Sequence, residues 1–293
     1  MEVRIAHVLY ISVKPVQKPV LNYIGGKKMA SSKLHITERG KREGRNVPLV
    51  LVHGYPFEGS AWEQQLSGLG DEMWVVAPDM PGFGKSVALT PPTTAHVDQY
   101  AKALADWAKD EGITQLVLAG HSMGGYVAFA FARKYPEMLH SLILVATRPG
   151  ADNEAGKEGR YKTAGAVEER GAVAAAEAML PKLFAPEAYE KKKELVERVR
   201  AMMLRQSEEG IVAALYAMAS RPDSTHDLAE IEVRTLIITG AQDAIIPAGE
   251  APNMQAHIKG SHAVAIPKTG HLPMLEDPEG FNEALRQFLG VNS

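Results

Sequence analysis

From Leu34 onward, short apolar runs alternate with stretches that have helical periodicity. Six runs are almost continuously apolar and end in turn residues, which is typical of strands covered on both faces. These runs are VPLVLVHG (Val47–Gly54), MWVVAPD (Met73–Asp79), QLVLAG (Gln115–Gly120), SLILVAT (Ser141–Thr147), RTLIITG (Arg234–Gly240) and HAVAIP (His262–Pro267). LHITER (Leu34–Arg39) alternates between apolar and polar residues and therefore predicts a strand at a sheet edge.

Helical patterns lie between these runs. Thr93–Gly112 carries an apolar stripe that includes Tyr100 and Trp107. Near the end of the chain, Asp277 can cap a helix with Pro278 in its first position. Strand–helix alternation of this kind predicts an α/β fold with a mostly parallel central sheet and helices on both faces.

The alternation stops between residues 148 and 222, where no strand-like run occurs. Glu187–Gln206 instead has an apolar stripe opposite lysine, glutamate and arginine, which predicts a helix with one buried face. We expect 148–222 to be a helical cap over the carboxyl edge of the sheet, inserted into a core formed by 29–147 and 223–293.

The first 28 residues do not fit this pattern. Ile5–Val13 is an apolar run that resembles the central part of a secretory signal, but His7 interrupts it and Lys14-Pro15 follows it. The alternative is an extension, of unknown role, ahead of a second possible start at Met29. We expect no chemistry in this segment.

Composition narrows the possible functions. The chain has 293 residues and a net charge of −3, with +5 in residues 1–33 and −8 in the remainder. An acidic body argues against a nucleic-acid partner. No apolar run approaches the roughly 20 residues that span a membrane. Cysteine is absent, so disulfides and thiolate chemistry are excluded, and a reducing cytoplasm fits this composition.

The segment LVLAGHSMGGYVAFAFA, Leu116 to Ala132, contains G-x-S-x-G between a predicted strand and a predicted helix. A strand that turns at once into a helix strains its hinge residue, and glycines at 120 and 124 relieve the crowding. Ser122 then projects above the sheet edge at the positive end of the helix. We therefore predict that Ser122 is a nucleophile.

A serine hydroxyl needs a base to remove its proton. His271 follows the last predicted strand and is preceded by Gly270, and its position favours it as the base. His121 adjoins the serine, but neighbouring side chains at such a turn diverge. His53 ends an earlier strand, and we expect it to hydrogen-bond within its own loop.

The base in turn needs an acid to orient it. Asp243 lies three residues after the strand-end Gly240, and Asp152, after another strand, is its main rival. Asp277 and Glu276 are too close in sequence to the histidine and are predicted to begin the last helix. The predicted order is serine, Asp243, histidine.

If such a serine serves acyl transfer, the site also needs donors for a tetrahedral oxyanion. One is the backbone N–H of Met123, directly after the nucleophile, and the other is expected from the loop at Tyr55. The sequence PGFGKS contains Gly-Lys-Ser, but Asp79 stands where a phosphate-binding loop needs its first glycine. No metal-binding motif is present in the sequence.

Five blocks in order resemble the α/β-hydrolase superfamily: LVHGYPFEGSAWEQQ, VVAPDMPGFGKS, LAGHSMGGYVAFAFARKYPE, LIITGAQDAIIP and TGHLPMLEDPEGF. The similarity is to cofactor-free bacterial carboxylesterases and haloperoxidase-like perhydrolases. It implies the α/β-hydrolase fold with a helical cap after strand six, Tyr55 and Met123 as oxyanion donors, and no cofactor or metal. Pro56 resembles the proline of perhydrolase-type members, and Ser122 argues against the epoxide hydrolases and haloalkane dehalogenases of this fold, which use an aspartate nucleophile.

The resulting hypothesis is a carboxylesterase acting on small to medium apolar acyl esters through an acyl-enzyme. Candidate pocket residues are Phe57, Tyr126, Met202 and Leu272. The same triad would serve a perhydrolase, a lactonase or a carbon–carbon bond hydrolase, and a small-molecule receptor with slow turnover is an alternative of another class. The expected partner is a small-molecule ester, without nucleic acid or integral membrane association, and the oligomeric state is not predicted.

Overall fold

A computed structural model describes residues 34–42 and 47–291 of the chain. The predicted extension, residues 1–28, and Met29 lie outside this part. Seven strands of the described residues form one sheet in the order β1-β3-β2-β4-β5-β6-β7. They are β1 (Ile36–Arg39), β2 (Leu49–Val52), β3 (Val75–Pro78), β4 (Leu116–His121), β5 (Leu139–Val145), β6 (Arg234–Gly240) and β7 (His262–Ile266). β1 pairs with β3 antiparallel at one edge and all other pairings are parallel, so the predicted α/β fold is confirmed.

Eleven α-helices accompany the sheet within the described residues. They are α1 (Glu63–Leu69), α2 (Val97–Asp110), α3 (Met123–Lys134), α4 (Glu154–Arg170), α5 (Ala172–Met179), α6 (Pro186–Lys191), α7 (Lys193–Leu204), α8 (Glu208–Ala219), α9 (Glu250–His257), α10 (Pro273–Glu276) and α11 (Pro278–Leu289). α11 begins as predicted, because the Asp277 side chain accepts a hydrogen bond from the Gly280 amide and Pro278 occupies the first turn.

The core forms two apolar layers, one on each face of the sheet. Successive residues of a strand point to opposite faces, so Val50 and Val52 face α2, α3 and α9, whereas Leu49 and Leu51 face α1 and α11. All four side chains are buried. Each such aliphatic side chain stabilises the fold by about 1.5–3 kcal/mol, which makes the central strands a rigid support for whatever follows them.

Parallel pairing brings the ends of four strands to one edge. His121 of β4 pairs with Val145 of β5, Val145 pairs with Ile238 of β6, and Gly240 pairs with Ile266 of β7. The loops after β4, β6 and β7 therefore leave the sheet at the same edge. Ligands of open α/β sheets bind at this carboxyl edge.

The segment between β5 and β6 contains α4 to α8 and no strand. Its buried side chains join both layers of the core, with Val167 in one and Val199 in the other. Among the described strands this insertion follows the fifth, not the sixth, although it lies where the sequence predicts it, between SLILVAT and RTLIITG.

Two local predictions were wrong. HAVAIP was predicted to be a strand covered on both faces, but β7 is the outermost strand and most of its residues are partly or fully exposed. Alanine fits both a buried strand and an exposed edge strand, so this short apolar run does not distinguish the two kinds of strand. The helix predicted over Glu187–Gln206 is two helices, because the backbone of Lys192 (φ −124, ψ 44) leaves the helical region between α6 and α7.

No helix within residues 34–42 and 47–291 combines the length and apolar character needed to cross a membrane.

Candidate active site

Ser122 stands at the sharp turn between β4 and α3. Its backbone has φ 51 and ψ −111, a conformation that side-chain-bearing residues rarely adopt. Such strain is characteristic of functional sites. Glycine neighbours make the turn possible: a Cβ on Gly120 would lie 2.2 Å from the carbonyl oxygen of Gly124, and a Cβ on Gly124 would lie 2.4 Å from the carbonyl oxygen of Val52.

Gly124→Ala is expected to destabilise the fold because the added methyl group meets backbone carbonyls of the central sheet, which cannot rotate away. We expect the free energy of unfolding to fall by roughly 2–3 kcal/mol in urea denaturation. Gly165→Ala is a matched control, since Gly165 lies inside α4 and a Cβ there meets no atom within 4 Å. The control should gain about 0.5–1 kcal/mol from helix propensity. Equal stability of the two variants would contradict this account of the turn.

Three side chains from three loops form a continuous hydrogen-bonded chain at the carboxyl edge. His271 Nε2 lies 2.9 Å from Ser122 Oγ, and His271 Nδ1 lies 2.9 Å from Asp243 Oδ2. The carboxylate can only accept, so Nδ1 carries the proton and Nε2 is left to accept from the serine hydroxyl. The arrangement can therefore remove a proton from Ser122.

The Asp243 carboxylate is itself fixed by its own loop. Its Oδ1 accepts hydrogen bonds from the amides of Ile245 at 2.8 Å and Ile246 at 3.0 Å. Burial alone would raise the pKa of Asp243, but the hydrogen bond and charge of His271, together with these amides, lower it below its ordinary value. Asp243 is thus held as an anion, with one oxygen anchored and the other aimed at the histidine.

Asp152, the rival acid, is committed elsewhere. Its carboxylate binds Arg148 at 2.8 Å, Arg221 at 2.9 Å and also Arg160. Burial would raise the pKa of Asp152, but the hydrogen bonds from Arg221 and Arg160 lower it well below its ordinary value. Its hydrogen bonds therefore go to arginines and not to His271.

The two other candidate histidines are structural. His53 Nδ1 donates to the carbonyl of Gly54 at 2.8 Å and its Nε2 accepts from the Met80 amide at 2.9 Å. His121 Nε2 donates to the backbone carbonyl of His271 at 2.8 Å. Burial, followed by the nearby charge of His271, lowers the pKa of His121 to about 3, so its ring is neutral. His121 therefore contacts the backbone of His271, and its Nε2 is not available to the Ser122 hydroxyl.

The predicted oxyanion donors lie in the segments that follow two neighbouring strands, β2 and β4. Met123 is the first residue of α3, so its N–H has no acceptor within the helix. Tyr55 follows β2, and the turn after it closes through a hydrogen bond from the Phe57 amide to the Gly54 carbonyl at 3.0 Å. Both amides belong to segments at the carboxyl edge of the sheet.

The four candidate pocket residues are all buried, and they belong to two different apolar layers. Phe57, Met202 and Leu272 share the apolar layer on the α1 and α11 side. Tyr126 belongs to the opposite layer, where the Arg221 guanidinium stacks 4.1 Å from its ring. The sequence did not predict which layer each residue joins, because this depends on tertiary packing.

Glu276 was assigned by sequence to the start of the last helix, and this was wrong. It is the last residue of α10, its side chain is buried, and both of its oxygens accept backbone amides. No local signal in the sequence separates Glu276 from a helix-start acid, because the groups that it binds are backbone amides.

Within the described residues, no group of three or more His, Cys, Asp or Glu side chains could hold a metal ion.

A polar link joins the end of α7 to two loops at the sheet edge. Gln206 Nε2 donates to Glu58 Oε2 at 2.9 Å, and Arg205 Nε donates to Glu58 Oε1 at 3.1 Å. The other end of the Gln206 amide accepts from the Gly84 backbone at 2.9 Å. Burial would raise the pKa of Glu58, but the hydrogen bonds from Arg205, Gln206 and Ser60 lower it to about 2.

This link is expected to weaken in acid. Because the pKa of Glu58 is lower in the folded state than its ordinary 4.5, its stabilising contribution is complete above pH 4.5 and is lost as the pH falls towards 2. Glu58→Gln should lower the unfolding free energy by about 1 kcal/mol at pH 7, a figure reduced for solvent screening of a partly exposed pair. In urea denaturation the difference should shrink from pH 7 to pH 3. Exposed Glu63→Gln is the control, and a difference that does not change with pH would refute the assignment.

Known proteins share the sequence pattern and the fold. The model of the alpha/beta hydrolase family matches residues 49–284. A solved esterase from Thermogutta terrifontis, with malate bound, is 40% identical with a TM-score of 0.84, over 88% of this chain and 93% of that one. The enol-lactonase from Burkholderia xenovorans has a TM-score of 0.81 at 22% identity, over 89% of this chain and 98% of that one, and so shows similarity of fold alone.

Two curated relatives extend this comparison. The dihydrolipoyllysine-residue acetyltransferase component of the acetoin cleaving system of Pseudomonas putida is 32% identical over 83% of this chain, which spans 63% of that protein's length. The pimeloyl-[acyl-carrier protein] methyl ester esterase of Aeromonas hydrophila is 26% identical over 85% of this chain and 98% of the esterase.

Proposed function

The chain belongs to the alpha/beta hydrolase family, and from that premise we propose that it is a serine hydrolase that cleaves carboxylic esters. The observation that carries the proposal is the unbroken hydrogen-bonded chain from Asp243 through His271 to Ser122. Such a chain serves acyl transfer, since it activates a nucleophile and later returns its proton to a leaving group.

Acylation of the enzyme is the first half of the proposed reaction. Ser122 Oγ attacks the ester carbonyl carbon while His271 Nε2 takes the hydroxyl proton. The carbonyl oxygen becomes an oxyanion, which the amides of Met123 and Tyr55 stabilise. Asp243 stabilises the imidazolium. When the carbon–oxygen bond to the alcohol breaks, His271 gives its proton to the departing oxygen, and the acyl group remains on Ser122.

Deacylation reverses the roles with water. His271 takes a proton from a water molecule, whose oxygen attacks the acyl carbon and forms a second oxyanion. The bond to Ser122 Oγ then breaks, His271 returns the proton to the serine, and the carboxylic acid leaves. Every proton passes through one atom, His271 Nε2, which is why the orientation of this ring determines the rate.

We assign the helices within 148–222 the role of a cap over this site, carried by the core segments 29–147 and 223–293. Met202 of α7 packs in the same apolar layer as Phe57 and Leu272, which directly follows the base. An apolar lining of this kind favours a small to medium apolar acyl group.

Two of the relatives support ester hydrolysis as the reaction. The 40% identical Thermogutta protein is an esterase, and the Aeromonas relative acts on a methyl ester. A 30% identical relative from Burkholderia vietnamiensis is a 2-hydroxy-6-oxononadienedioate/2-hydroxy-6-oxononatrienedioate hydrolase and one from Acinetobacter baylyi, 27% identical, is an enol-lactonase. Lactones and carbon–carbon substrates are therefore comparison substrates in the test.

The test is turnover by the purified chain on activated acetyl, butyryl and octanoyl esters, beside a lactone, a substrate with a hydrolysable carbon–carbon bond and a peracid-forming assay with hydrogen peroxide. We expect many turnovers per enzyme on the esters and the highest kcat/KM on one of them. A single stoichiometric acylation without turnover would instead indicate a receptor, and preference for the lactone would reassign the substrate.

A further inference from the structure

The carboxylate of Glu276 bridges two segments that are far apart in the sequence. Its Oε1 accepts the Gly270 amide at 2.6 Å, and its Oε2 accepts the Ala185 amide at 2.9 Å. Gly270 immediately precedes His271, whereas Ala185 lies just before α6. Glu276 therefore connects the loop of the proposed base to the helical insertion.

Burial of the Glu276 carboxylate costs folding free energy. The Glu276 side chain is almost fully buried, and desolvation raises its pKa in spite of the two amide hydrogen bonds. Within the described residues no arginine or lysine side chain is hydrogen-bonded to the carboxylate; Lys192 donates to the backbone carbonyl of Glu276, and its charge only partly offsets the effect of burial on the pKa of Glu276. Burying an acid without a hydrogen-bonded cationic partner costs folding free energy, and hydrogen bonds to its oxygens offset part of that cost. We therefore interpret the hydrogen bonds to the Gly270 and Ala185 amides as the role of this residue.

The loop that Glu276 holds is packed on both sides. A Cβ on Gly270 would lie 2.5 Å from the carbonyl carbon of Phe184, and a Cβ on Gly240 would lie 1.8 Å from the Gly270 carbonyl oxygen. The loop that carries His271 is therefore in close contact with the insertion at Phe184 and with the end of β6, just before Asp243, at Gly240. A shift of the Gly270 peptide therefore changes the position of His271 relative to its acid.

The backbone of His271 has two further contacts of the same kind. Its amide donates to the Leu183 carbonyl at 2.8 Å, and its carbonyl accepts from His121 Nε2 at 2.8 Å. The histidine backbone is thus held by the insertion and by the residue before the nucleophile. Glu276 completes this support from the remaining side, one peptide earlier.

We propose that Glu276 is a positioning residue for His271, acting through the Gly270 and Ala185 amides to hold the base loop and the insertion as one unit. This role rests on the proposed function. The residue does not touch the reacting atoms; together with the backbone contacts of His271 to Leu183 and His121, it keeps His271 Nε2 within hydrogen-bonding distance of Ser122.

Glu276→Gln tests the proposal because it retains size but replaces one oxygen by an NH2 group, which faces an amide N–H as a second donor. Turnover is measured per active site titrated with a serine-directed phosphonate, so only folded and reactive molecules are counted. We expect kcat per titrated site to fall about 10- to 100-fold, the effect of a displaced catalytic group. KM should stay within about threefold, because the substrate contacts are unchanged. Exposed Glu279→Gln, the matched control on α11, should retain wild-type kcat.

The outcomes separate this role from a purely structural one. A lower melting temperature with unchanged kcat per titrated site would overturn the positioning role. Glu276→Asp, which keeps the charge but draws the oxygens back by one methylene, should also lose kcat, and full activity in it would count equally against the role. Wild-type protein that neither reacts with the phosphonate nor turns over esters would instead refute the proposed function, a result recognisable without any variant.

Discussion

Replacing Ser122 by alanine is expected to abolish ester turnover while the protein remains folded. The substitution removes the only oxygen bonded to His271 Nε2, and no other hydroxyl is hydrogen-bonded to that nitrogen in the described residues. Loss of the nucleophile in such a triad lowers kcat by about 10⁵- to 10⁶-fold. The measurement is initial-rate hydrolysis of an activated acetyl ester at saturating substrate.

Stability should change little in Ser122→Ala, because one hydrogen bond at a partly exposed position contributes only about 0.5–1.5 kcal/mol. The unusual backbone conformation is imposed by β4 and α3 and is the same for serine and alanine. Ser67→Ala, at an exposed position of α1, is the control and should retain full activity. Turnover by Ser122→Ala above about one per cent of wild type would show that another group is the nucleophile.

Asp243→Asn has the second largest expected effect, although it changes only one atom. The asparagine NH2 group cannot accept from His271 Nδ1, so the histidine is favoured in the tautomer that carries its proton on Nε2. That nitrogen can then no longer accept the serine proton. We expect kcat to fall by about 10⁴-fold with KM nearly unchanged.

The fold should tolerate this change, since the asparagine oxygen can still accept the Ile245 and Ile246 amides in place of Asp243 Oδ1. Asp71→Asn is the matched control, because the Asp71 side chain is 90% exposed and its ion pair with Arg39 is 3.9 Å long. Activity of Asp243→Asn within tenfold of wild type would show that the aspartate does not set the tautomer.

The parts of the fold that could be predicted are those that follow from local pattern. Continuous apolar runs ending in turn residues predicted the central strands, and the alternation in Leu34–Arg39 predicted an edge strand. The serine turn was recognisable because glycines are required where backbones approach closely, as at Gly120 and Gly124. His271 and Asp243 were proposed from their positions after strands, since parallel strands bring their carboxyl ends to one edge.

The features that sequence did not reveal depend on contacts between distant segments. Nothing local distinguishes Glu276 from a helix-capping acid, because its partners, the amides of Gly270 and Ala185, are backbone groups without a sequence signal. At the break between α6 and α7, the Lys192 side chain likewise contacts a distant segment, at the Glu276 carbonyl. The separation of Tyr126 from the other pocket candidates likewise follows from which face of the sheet each element covers.

The link at Glu58 and the bridge at Glu276 act on different sides of the insertion. Glu58 holds the end of α7 to the loop after Tyr55, whereas Glu276 holds Ala185 to the base loop. The insertion is therefore tied to the segments that carry both the proposed oxyanion donor and the proposed base. Variants at these two positions should differ: Glu58→Gln should change acid stability, and Glu276→Gln should change kcat.

The central claim is that Ser122 is a nucleophile activated from outside its own loop. Its most direct measurement is covalent labelling of the wild-type chain with a serine-directed fluorophosphonate, followed by mass spectrometry of the labelled peptide. The account predicts one label per chain on the peptide that contains Ser122, formed quickly in wild type and far more slowly in Asp243→Asn. Labelling on another serine, or an equal rate in the two proteins, would contradict it.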